Sequence, residues 1–373
     1  MSAPASALPA AIGVISGTSM DGIDVALIRS DGESVVAPGE GATFPYPADV
    51  KRALQAVIAD PDAARGPLDE LQRAVTDSHA AAVEAFLERF SIARAEVALV
   101  GMHGQTVLHR PHERFTRQLG DGARASRLLG IDVVNDFRAA DIAAGGQGAP
   151  FVPLYHAAIC AGLERPLMVL NLGGVGNVTY LGLGGEIVAF DTGPANALID
   201  DFVARRRGLT HDEGGALAAV GRIDEAVLAR LMSDPYFDLA PPKSLDRNHF
   251  HELARQAEML GDEDGAATLA AFTIESAAAA LRHVGARPAR WLVCGGGRRN
   301  LTFMRALGAR LGAVVEPIEA IGYDGDVIEA QCFAYLALRS RRGLPLSLPT
   351  TTGAPRPMRG GVYWPAPKAA LSA

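Results

Sequence analysis

Two glycine-tipped hairpins, one near the start of each half of the chain, constrain the fold more than any other sequence feature. The first combines the β-branched run 12–15, the polar turn 16–22 and the apolar run 23–28. The second combines the apolar run 168–170, the glycine-rich turn NLGGVG and the apolar run 177–181. Short apolar runs on either side of turn-forming residues are typical of paired antiparallel strands. Their recurrence predicts a duplicated architecture.

The length and the remaining pattern predict two mixed α/β domains. A chain of 373 residues is long enough for two separate cores. A helical composition over 68–90 precedes a strand over 97–101 that enters a polar loop, GMHGQT, and a strand over 187–190 precedes another helix. We expect a first lobe over 1–150 and a second over 151–373, with an irregular tail from residue 344 that returns to the first lobe.

Charge and composition exclude several classes of function. The formal net charge of -7 disfavours non-specific binding to nucleic acid, which requires a basic surface. The three cysteines are odd in number and form no CxxC pair, which favours neither a disulfide framework nor a zinc site. The N-terminus lacks the pattern of a secretion signal, and no apolar run is long enough to span a membrane. We therefore expect a soluble, cytoplasmic protein.

The segment GVISGTSMDGID, residues 13–24, is the strongest candidate for chemistry. Glycines let a backbone approach a ligand closely, and turn N–H groups with the Ser16, Thr18 and Ser19 hydroxyls suit phosphate oxygens. Asp21 and Asp24 suit a hydrated Mg²⁺ ion. The alternative is an ordinary turn, since glycine, serine and aspartate are common in turns. Without a GxxxxGK[ST] or GxGxxG motif, hairpins are the predicted phosphate binders, and a dinucleotide-dependent dehydrogenase is disfavoured.

The chain resembles the anhydro-N-acetylmuramic acid kinases, a family of the actin, sugar-kinase and chaperone-ATPase superfamily. Eight blocks carry the resemblance in family order: GVISGTSMDGID, GMHGQT, NDFRAADIAAGGQGAP, NLGGVGN, FDTGPANALID, DPYF followed by PPKS, CGGGRRN and GDVIEAQCFAYLA. The resemblance implies two ribonuclease-H-like lobes with ATP in the cleft between them, and a homodimer. It also implies ring opening and O6 phosphorylation of a 1,6-anhydro sugar, with Mg²⁺, in cell-wall recycling.

The resemblance, together with local context, assigns a role to each candidate residue. Asp191 follows a strand and precedes a helix, and is expected to be the general base, kept ionised by the helix dipole; the alternative is an N-cap aspartate. The expected phosphate-binding residues are Gly17, Thr18, Ser19, Met20, Asp21, Gly22, Ile23, Asp24, Gly173, Gly174 and Asn177. The expected adenosine-binding residues are Gly295, Gly296, Gly297 and Asn300. The expected sugar-binding residues are His103, Gln105, Thr106, Arg138 and Glu329.

Several alternatives accompany these roles. His103 alone is more often a structural histidine, and Arg138 suits either the lactyl carboxylate of the sugar or a salt bridge with Asp136 or Asp141. Ala195 replaces a family glycine, which is tolerable if its dihedral angles are helical. The sequence LDRN at 245–248 replaces the family's TGRE and puts a ligand role for 246–248 in doubt. Competing functions are another kinase of the superfamily and a non-catalytic ATP-driven switch.

Overall fold

Both predicted hairpins are present, and each belongs to the sheet of a separate structural unit. The computed structural model describes residues 7–17, 20, 22–246 and 248–367. The chain divides into a first unit, Met1–Ala161 with Val327–Ala373, and a second unit, Gly162–Asp326.

The sheet of the first unit is built on the first hairpin. Its strands are β1 (Ala10–Ser16), β2 (Ile23–Ser30), β3 (Val36–Phe44), β4 (Val97–Arg110), β5 (Phe115–Leu119), β6 (Val133–Asn135) and β12 (Val362–Trp364). The order across the sheet is β12-β6-β4-β1-β2-β3, and β5 pairs with β4. β1 is antiparallel to β2 and parallel to β4, while β6 continues the parallel part.

The sheet of the second unit repeats this topology. Its strands are β7 (Leu167–Leu172), β8 (Val175–Leu181), β9 (Ile187–Pro194), β10 (Arg290–Cys294) and β11 (Val314–Pro317), in the order β11-β10-β7-β8-β9. β7, β8 and β9 are antiparallel neighbours, and β10 and β11 extend the sheet in parallel. In each unit the third, second, first and fourth strands are therefore neighbours in that order, followed by β6 in the first unit and by β11 in the second. The predicted duplication of an α/β unit is confirmed.

Helices pack against both sheets through their buried residues. Those of the first unit are α1 (Ala48–Ile58), α2 (Asp69–Arg89), α3 (Gly122–Leu129), α4 (Ala139–Ala143), α5 (Pro153–Ile159), α12 (Ile328–Arg341) and α13 (Pro349–Thr352). Those of the second unit are α6 (Asn196–Arg207), α7 (Ala216–Val220), α8 (Glu225–Leu231), α9 (His251–Ala254), α10 (Asp262–Ala279) and α11 (Leu301–Leu311). Among the described helices, none is both long enough and apolar enough to cross a lipid bilayer.

Two glycines allow α12 to lie directly on the first sheet. A Cβ atom at Gly13 of β1 would come within 1.7 Å of the Ala330 carbonyl oxygen, and one at Gly101 of β4 within 2.1 Å of the Phe333 carbonyl oxygen. No side chain fits in that space, so glycine is required at both positions by packing. The close contact fixes the first turn of α12, which carries Glu329.

Some sequence-based expectations differ from the structure. Strand β4 continues through GMHGQT, which is therefore not a loop, because its second half pairs with β5. The division of the chain does not follow the expected boundary after residue 150, because α5 packs on α12, with the Tyr155 hydroxyl donating to Gln331 Oε1 at 2.9 Å. The tail is not wholly irregular either, since it contains α13 and β12, and β12 pairs with β6.

Candidate active site

Asp191 lies within strand β9, three residues before the strand ends, and its strand partner is Asn177 on β8. The N-cap of α6 is Ala195, which makes no side-chain cap. The N-cap interpretation of Asp191 is therefore wrong. A bulge in β9 follows directly, because Gly176 pairs with Gly193 and leaves one extra residue on β9. Bulges of this kind redirect side chains and are common beside functional sites.

Tyr236 of the DPYF block, Lys243 of the PPKS block and Leu245, which follows that block, surround Asp191. The backbone N–H of Leu245 donates to Asp191 Oδ2 at 2.8 Å. The Tyr236 hydroxyl donates to the Asp191 carbonyl oxygen at 2.6 Å, and the Asp191 N–H donates to the Lys243 carbonyl oxygen at 3.0 Å. Lys243 in turn donates from Nζ to the Tyr236 carbonyl oxygen at 2.9 Å and lies over the Tyr236 ring. The backbone of Asp191 is thus held on both sides, while its carboxylate accepts a backbone donor.

The environment of Asp191 disfavours its ionised form. Burial raises the pKa of Asp191 to about 7, and the Leu245 N–H acts in the opposite direction. The expectation that the helix dipole keeps this carboxylate ionised is therefore wrong, because desolvation dominates. The residue as a whole is half-buried. A carboxylate with a pKa near 7 is well suited to accept a proton from water at neutral pH.

The glycine turn of the second hairpin is anchored by the start of α6. The Gly173 carbonyl oxygen accepts the Asn196 N–H at 2.9 Å, and the Gly174 carbonyl oxygen accepts the Ala195 N–H at 3.1 Å. A Cβ atom at either glycine would meet nothing closer than 3.6 Å. Internal packing therefore does not demand glycine at these two positions. A ligand that approaches the backbone closely would require glycine at both positions.

The CGGGRRN segment forms a tight turn after β10. Gly295 has φ of +75°, and a Cβ atom at Gly297 would come within 2.5 Å of Leu172, while Gly296 has more room. Asn300 is the N-cap of α11 and accepts the Phe303 N–H at 3.0 Å. Sequence reasoning missed the buried Arg298, which donates to the Gly295 carbonyl oxygen and to Glu319 and Asp326. This arginine ties the turn to an acidic segment of the same unit.

A buried polar cluster supports the first hairpin loop. Ser16 donates from Oγ to Gln105 Oε1 at 2.6 Å, and the Tyr46 hydroxyl lies 2.6 Å from the same Ser16 oxygen. Gln105 is fully buried and donates from Nε2 to the Gly17 carbonyl oxygen at 3.3 Å. His79 Nε2 completes the cluster at 3.3 Å from Ser16 Oγ. The structure thus gives Gln105 a supporting position, and its contact with sugar stays a prediction.

The rest of this loop is described only in part. Thr18, Ser19 and Asp21 lie outside the described residues. Met20 has φ of +55°, and its N–H donates to the Gly17 carbonyl oxygen at 3.1 Å. A Cβ atom at Gly22 would come within 2.3 Å of Thr43, so the close approach of β3 requires glycine here. Ile23 and Asp24 begin β2.

His103 is placed by a bulge in β4. Val14 pairs with Met102 and Ile15 with Gly104, which leaves His103 as the extra residue. Its Nδ1 donates to the Gly104 carbonyl oxygen at 2.9 Å, and its Nε2 accepts from Arg138 Nε at 2.9 Å. Burial and the Arg138 charge hold the pKa of His103 well below its usual range. The neutral ring therefore orients Arg138.

Arg138 is held on two sides. Besides His103, its guanidinium donates from Nη1 to the Gly148 carbonyl oxygen at 2.6 Å. Within the described part of the chain, neither Asp136 nor Asp141 lies within salt-bridge distance of it. Burial lowers the pKa of Arg138, and the Asp141 charge acts on it in the opposite direction, so the two residues interact without a direct ion pair. Three of the five guanidinium N–H groups are not used in these two bonds.

The carboxyl group of Glu329 interacts with the charges of both Arg138 and Asp24. Burial raises the pKa of Glu329, the Arg138 charge lowers it and the Asp24 charge raises it. Thr106, also predicted to bind sugar, lies on β4 and accepts from Gln118 Nε2 at 3.2 Å. Charged groups from β2, α12 and the segment before α4 thus influence one another within the first unit.

Asp24 fits a magnesium site of the nucleotide-bound kind. Its carboxylate accepts from Thr43 Oγ1 at 2.6 Å. Mg²⁺ usually takes one or two carboxylates and completes its shell with water and phosphate oxygens. The described residues contain no cluster of three or more possible metal ligands. A magnesium ion held here would depend on a phosphate ligand.

Comparison with known proteins decides the family. A family model described as anhydro-N-acetylmuramic acid kinase matches residues 9–366. The chain is 53% identical over 358 residues to the anhydro-N-acetylmuramic acid kinase of Rhodospirillum rubrum, covering 95% of this chain and 94% of that protein. This chain belongs to the anhydro-N-acetylmuramic acid kinase family. The eight anhydro-N-acetylmuramic acid kinase blocks all lie within the matched residues.

Other similarities extend over the same length. The protein of the same description from Paramagnetospirillum magneticum is 50% identical over 352 residues, covering 94% of this chain and 98% of that one. Among solved structures, component A of (R)-2-hydroxyglutaryl-CoA dehydratase from Acidaminococcus fermentans has a TM-score of 0.47 and 12% identity, over 90% of this chain and 99% of that chain.

Proposed function

We propose that this protein is an ATP-dependent kinase that opens the 1,6-anhydro ring of 1,6-anhydro-N-acetylmuramic acid and phosphorylates O6. The product is N-acetylmuramic acid 6-phosphate, an intermediate of cell-wall recycling. Membership of the family supports the substrate. The observation that carries the mechanism is the Asp191 carboxylate, whose pKa is raised to about 7 by burial, on a half-buried residue beside the bulge of β9.

Asp191 acts as the general base. It takes a proton from a water molecule, whose oxygen attacks C1 of the sugar. The bond between C1 and O6 breaks, and the electron pair stays on O6. O6 then bonds to the γ-phosphorus of ATP, and ADP departs. Phosphorylation thus replaces the protonation of the leaving oxygen by an acid, so a second catalytic carboxylate is not required.

Arg138 holds the lactyl carboxylate of the sugar. Its guanidinium is fixed by His103 and Gly148 and retains further N–H donors, which is the arrangement that recognises a carboxylate. We assign Glu329 and Thr106 to sugar hydroxyls. The two oxygens of the Glu329 carboxyl group are acceptors suited to hydrogen bonds from sugar hydroxyls.

The glycine turns hold the nucleotide. Phosphoryl transfer depends mainly on positioning and charge neutralisation, and backbone N–H groups of the two hairpin turns supply donors for phosphate oxygens. We assign Gly17, Gly22, Gly173, Gly174 and Asn177 to the phosphates. The adenosine is assigned to the turn of Gly295, Gly296 and Gly297, next to Asn300. Asp24 would hold a Mg²⁺ ion, which would supply positive charge to neutralise the phosphates.

Product analysis in ¹⁸O-labelled water tests this mechanism. We expect sugar-dependent ADP release with 1,6-anhydro-N-acetylmuramic acid, label at C1 of the product and none in the phosphate, with inversion at C1. Label in the phosphate would show ATP hydrolysis instead and would support the ATP-driven switch. ADP release that depends on a different hydroxylated sugar would support another kinase activity.

We further propose that the protein is cytoplasmic and forms a homodimer, as the family resemblance implies. Light scattering after size-exclusion chromatography measures the mass directly. A mass equal to the 39.0 kDa chain at micromolar concentration would contradict the dimer.

A further inference from the structure

A buried carboxylate outside the proposed catalytic set lies behind Arg138. Asp141, in α4, is 1% exposed. Its Oδ1 accepts the Gly148 N–H at 2.8 Å. Its Oδ2 accepts the Thr352 hydroxyl at 2.7 Å and also the Ser347 hydroxyl. Three donors compensate the cost of burying this charge. Two of them come from the C-terminal segment, more than two hundred residues further along the chain.

The GGQG segment is shaped around this carboxylate. A Cβ atom at Gly146 would come within 2.1 Å of Asp141 Oδ1, and Gly148 has φ of +66°. The Gly146 N–H donates to the Asp141 carbonyl oxygen at 2.9 Å, and the Gln147 N–H donates to the Thr352 carbonyl oxygen at 2.7 Å. Asp141 and α13 thus fix the path of the loop from both sides.

The fixed loop also determines the position of Arg138. Gly148 donates its N–H to Asp141, and its carbonyl oxygen accepts Arg138 Nη1 at 2.6 Å. Asp141 and Arg138 both bond to the backbone of Gly148, so a displacement of that backbone changes both bonds. Because His103 holds only Nε of the guanidinium, the Gly148 carbonyl is the second point that defines its plane. An arginine fixed at two points loses less side-chain entropy when it binds a carboxylate.

We propose that Asp141 is a positioning residue, which holds Arg138 in place to bind the substrate carboxylate. Ser347 and Thr352 of the C-terminal segment in turn hold Asp141 by donating hydrogen bonds to it. The three residues act through Gly148 and Arg138 without touching the sugar. This inference rests on the proposed function, in which Arg138 grips the lactyl carboxylate.

Kinetic comparison of two sugars tests the proposal. The first is 1,6-anhydro-N-acetylmuramic acid, and the second is 1,6-anhydro-N-acetylglucosamine, which lacks the lactyl carboxylate. In Thr352→Val and Ser347→Ala, we expect KM for the first sugar to rise about tenfold, the effect of losing roughly one well-made charged hydrogen bond. The KM for ATP and all constants for the second sugar should stay within about twofold. Asp141→Asn, which keeps the shape and the acceptor for Gly148, should be milder than Asp141→Ala.

Ser126→Ala is the matched control. Ser126 is equally buried, and its hydroxyl donates to the Pro365 carbonyl oxygen at 2.8 Å, so it also ties down the C-terminal segment but does not contact the loop. We expect no change of sugar preference in this variant. An equal rise of KM for both sugars, or the same loss of preference in Ser126→Ala, would mean that the network serves stability alone.

Calorimetry separates this proposal from the proposed function. A wild-type protein that binds the carboxylate-bearing sugar without phosphorylating it would disprove the kinase activity, and the affinities of the variants for both sugars would still decide the role of Asp141. A wild-type protein that binds neither sugar would overturn both proposals.

Discussion

Replacing Asp191 with asparagine should separate activity from stability. Asparagine has the same shape and can still accept the Leu245 N–H through its side-chain oxygen. It cannot accept a proton from water. We therefore expect the fold and ATP binding to persist while turnover falls by at least about 10²-fold, the effect typical of losing a general base.

The raised pKa gives the activity a defined pH dependence. Burial raises the pKa of Asp191 from 3.8 to about 7, and only the ionised form is a base. The value of kcat/KM in the wild type should therefore rise with pH and level off above about pH 7. At pH 6 about one tenth of the carboxylate is ionised, so activity should be about one tenth of the plateau.

The same raised pKa means that the ionised Asp191 carboxylate lowers the free energy of unfolding of the wild type at high pH. Below about pH 4 the group is protonated in the folded and unfolded states, and it carries no penalty. As pH rises from about 4 to about 7, the unfolded state releases its proton first, so the free energy of unfolding decreases. A shift of about three units corresponds to at most ~4 kcal/mol, and partial solvent access reduces this.

Asp191→Asn removes the ionisable group and therefore also the fall in the free energy of unfolding between about pH 4 and pH 7. Urea unfolding at pH 4 and pH 8 tests the reasoning, with the second unit followed by its Trp291 fluorescence. We expect similar stability of the two proteins at pH 4 and a more stable variant at pH 8. An Asp191→Asn protein that is no more stable than the wild type at pH 8, or a wild-type acid limb near pH 4, would refute the assignment of a desolvated base.

Two further variants address packing and hydrogen bonding. Gly13→Ala places a Cβ atom 1.7 Å from the Ala330 carbonyl oxygen and should destabilise the first unit by about 1–3 kcal/mol or more in urea unfolding, whereas the control Gly285→Ala, with nothing within 4 Å, should not. A stable Gly13→Ala protein would mean that α12 does not lie on β1. Leu245→Pro removes the N–H that lowers the Asp191 pKa, so the acid limb of kcat/KM should move to higher pH, while Leu245→Ala keeps that N–H and should leave the limb in place. Identical acid limbs in the two Leu245 variants would contradict this role.

The parts of the fold that sequence predicted depend on local pattern. Both hairpins were predicted because apolar runs and turn formers lie next to each other in sequence. Helix α2 was predicted over 68–90 and is found at Asp69–Arg89. The helix after the strand 187–190 was also predicted correctly, and α6 buries Leu198, Ile199, Phe202 and Val203. These elements are fixed by residues a few positions apart.

The features that sequence did not predict depend on distant residues. The Asp191 backbone and carboxylate meet Tyr236 and Leu245, which lie 45 and 54 positions further along the chain. Its raised pKa comes from that burial, which no local pattern encodes. The glycine at position 13 belongs to the phosphate-binding block in sequence, yet its requirement comes from Ala330 in α12. GMHGQT was predicted as a loop because its composition is polar, whereas pairing with β1 and β5 makes it a bulged strand.

The two departures from the family motifs lie at positions 195 and 245, where backbone groups make the hydrogen bonds. Ala195 has φ of −127° and ψ of −111°, so the helical dihedrals that would make alanine tolerable on that ground are not present. Its N–H donates to the Gly174 carbonyl oxygen, and its carbonyl oxygen accepts the Thr273 hydroxyl, both at 3.1 Å. At position 245 the contact with Asp191 is likewise made by a backbone N–H. A change of side chain at either position leaves these bonds intact. The arrangement around Asp191 is therefore compatible with alanine at 195 and leucine at 245.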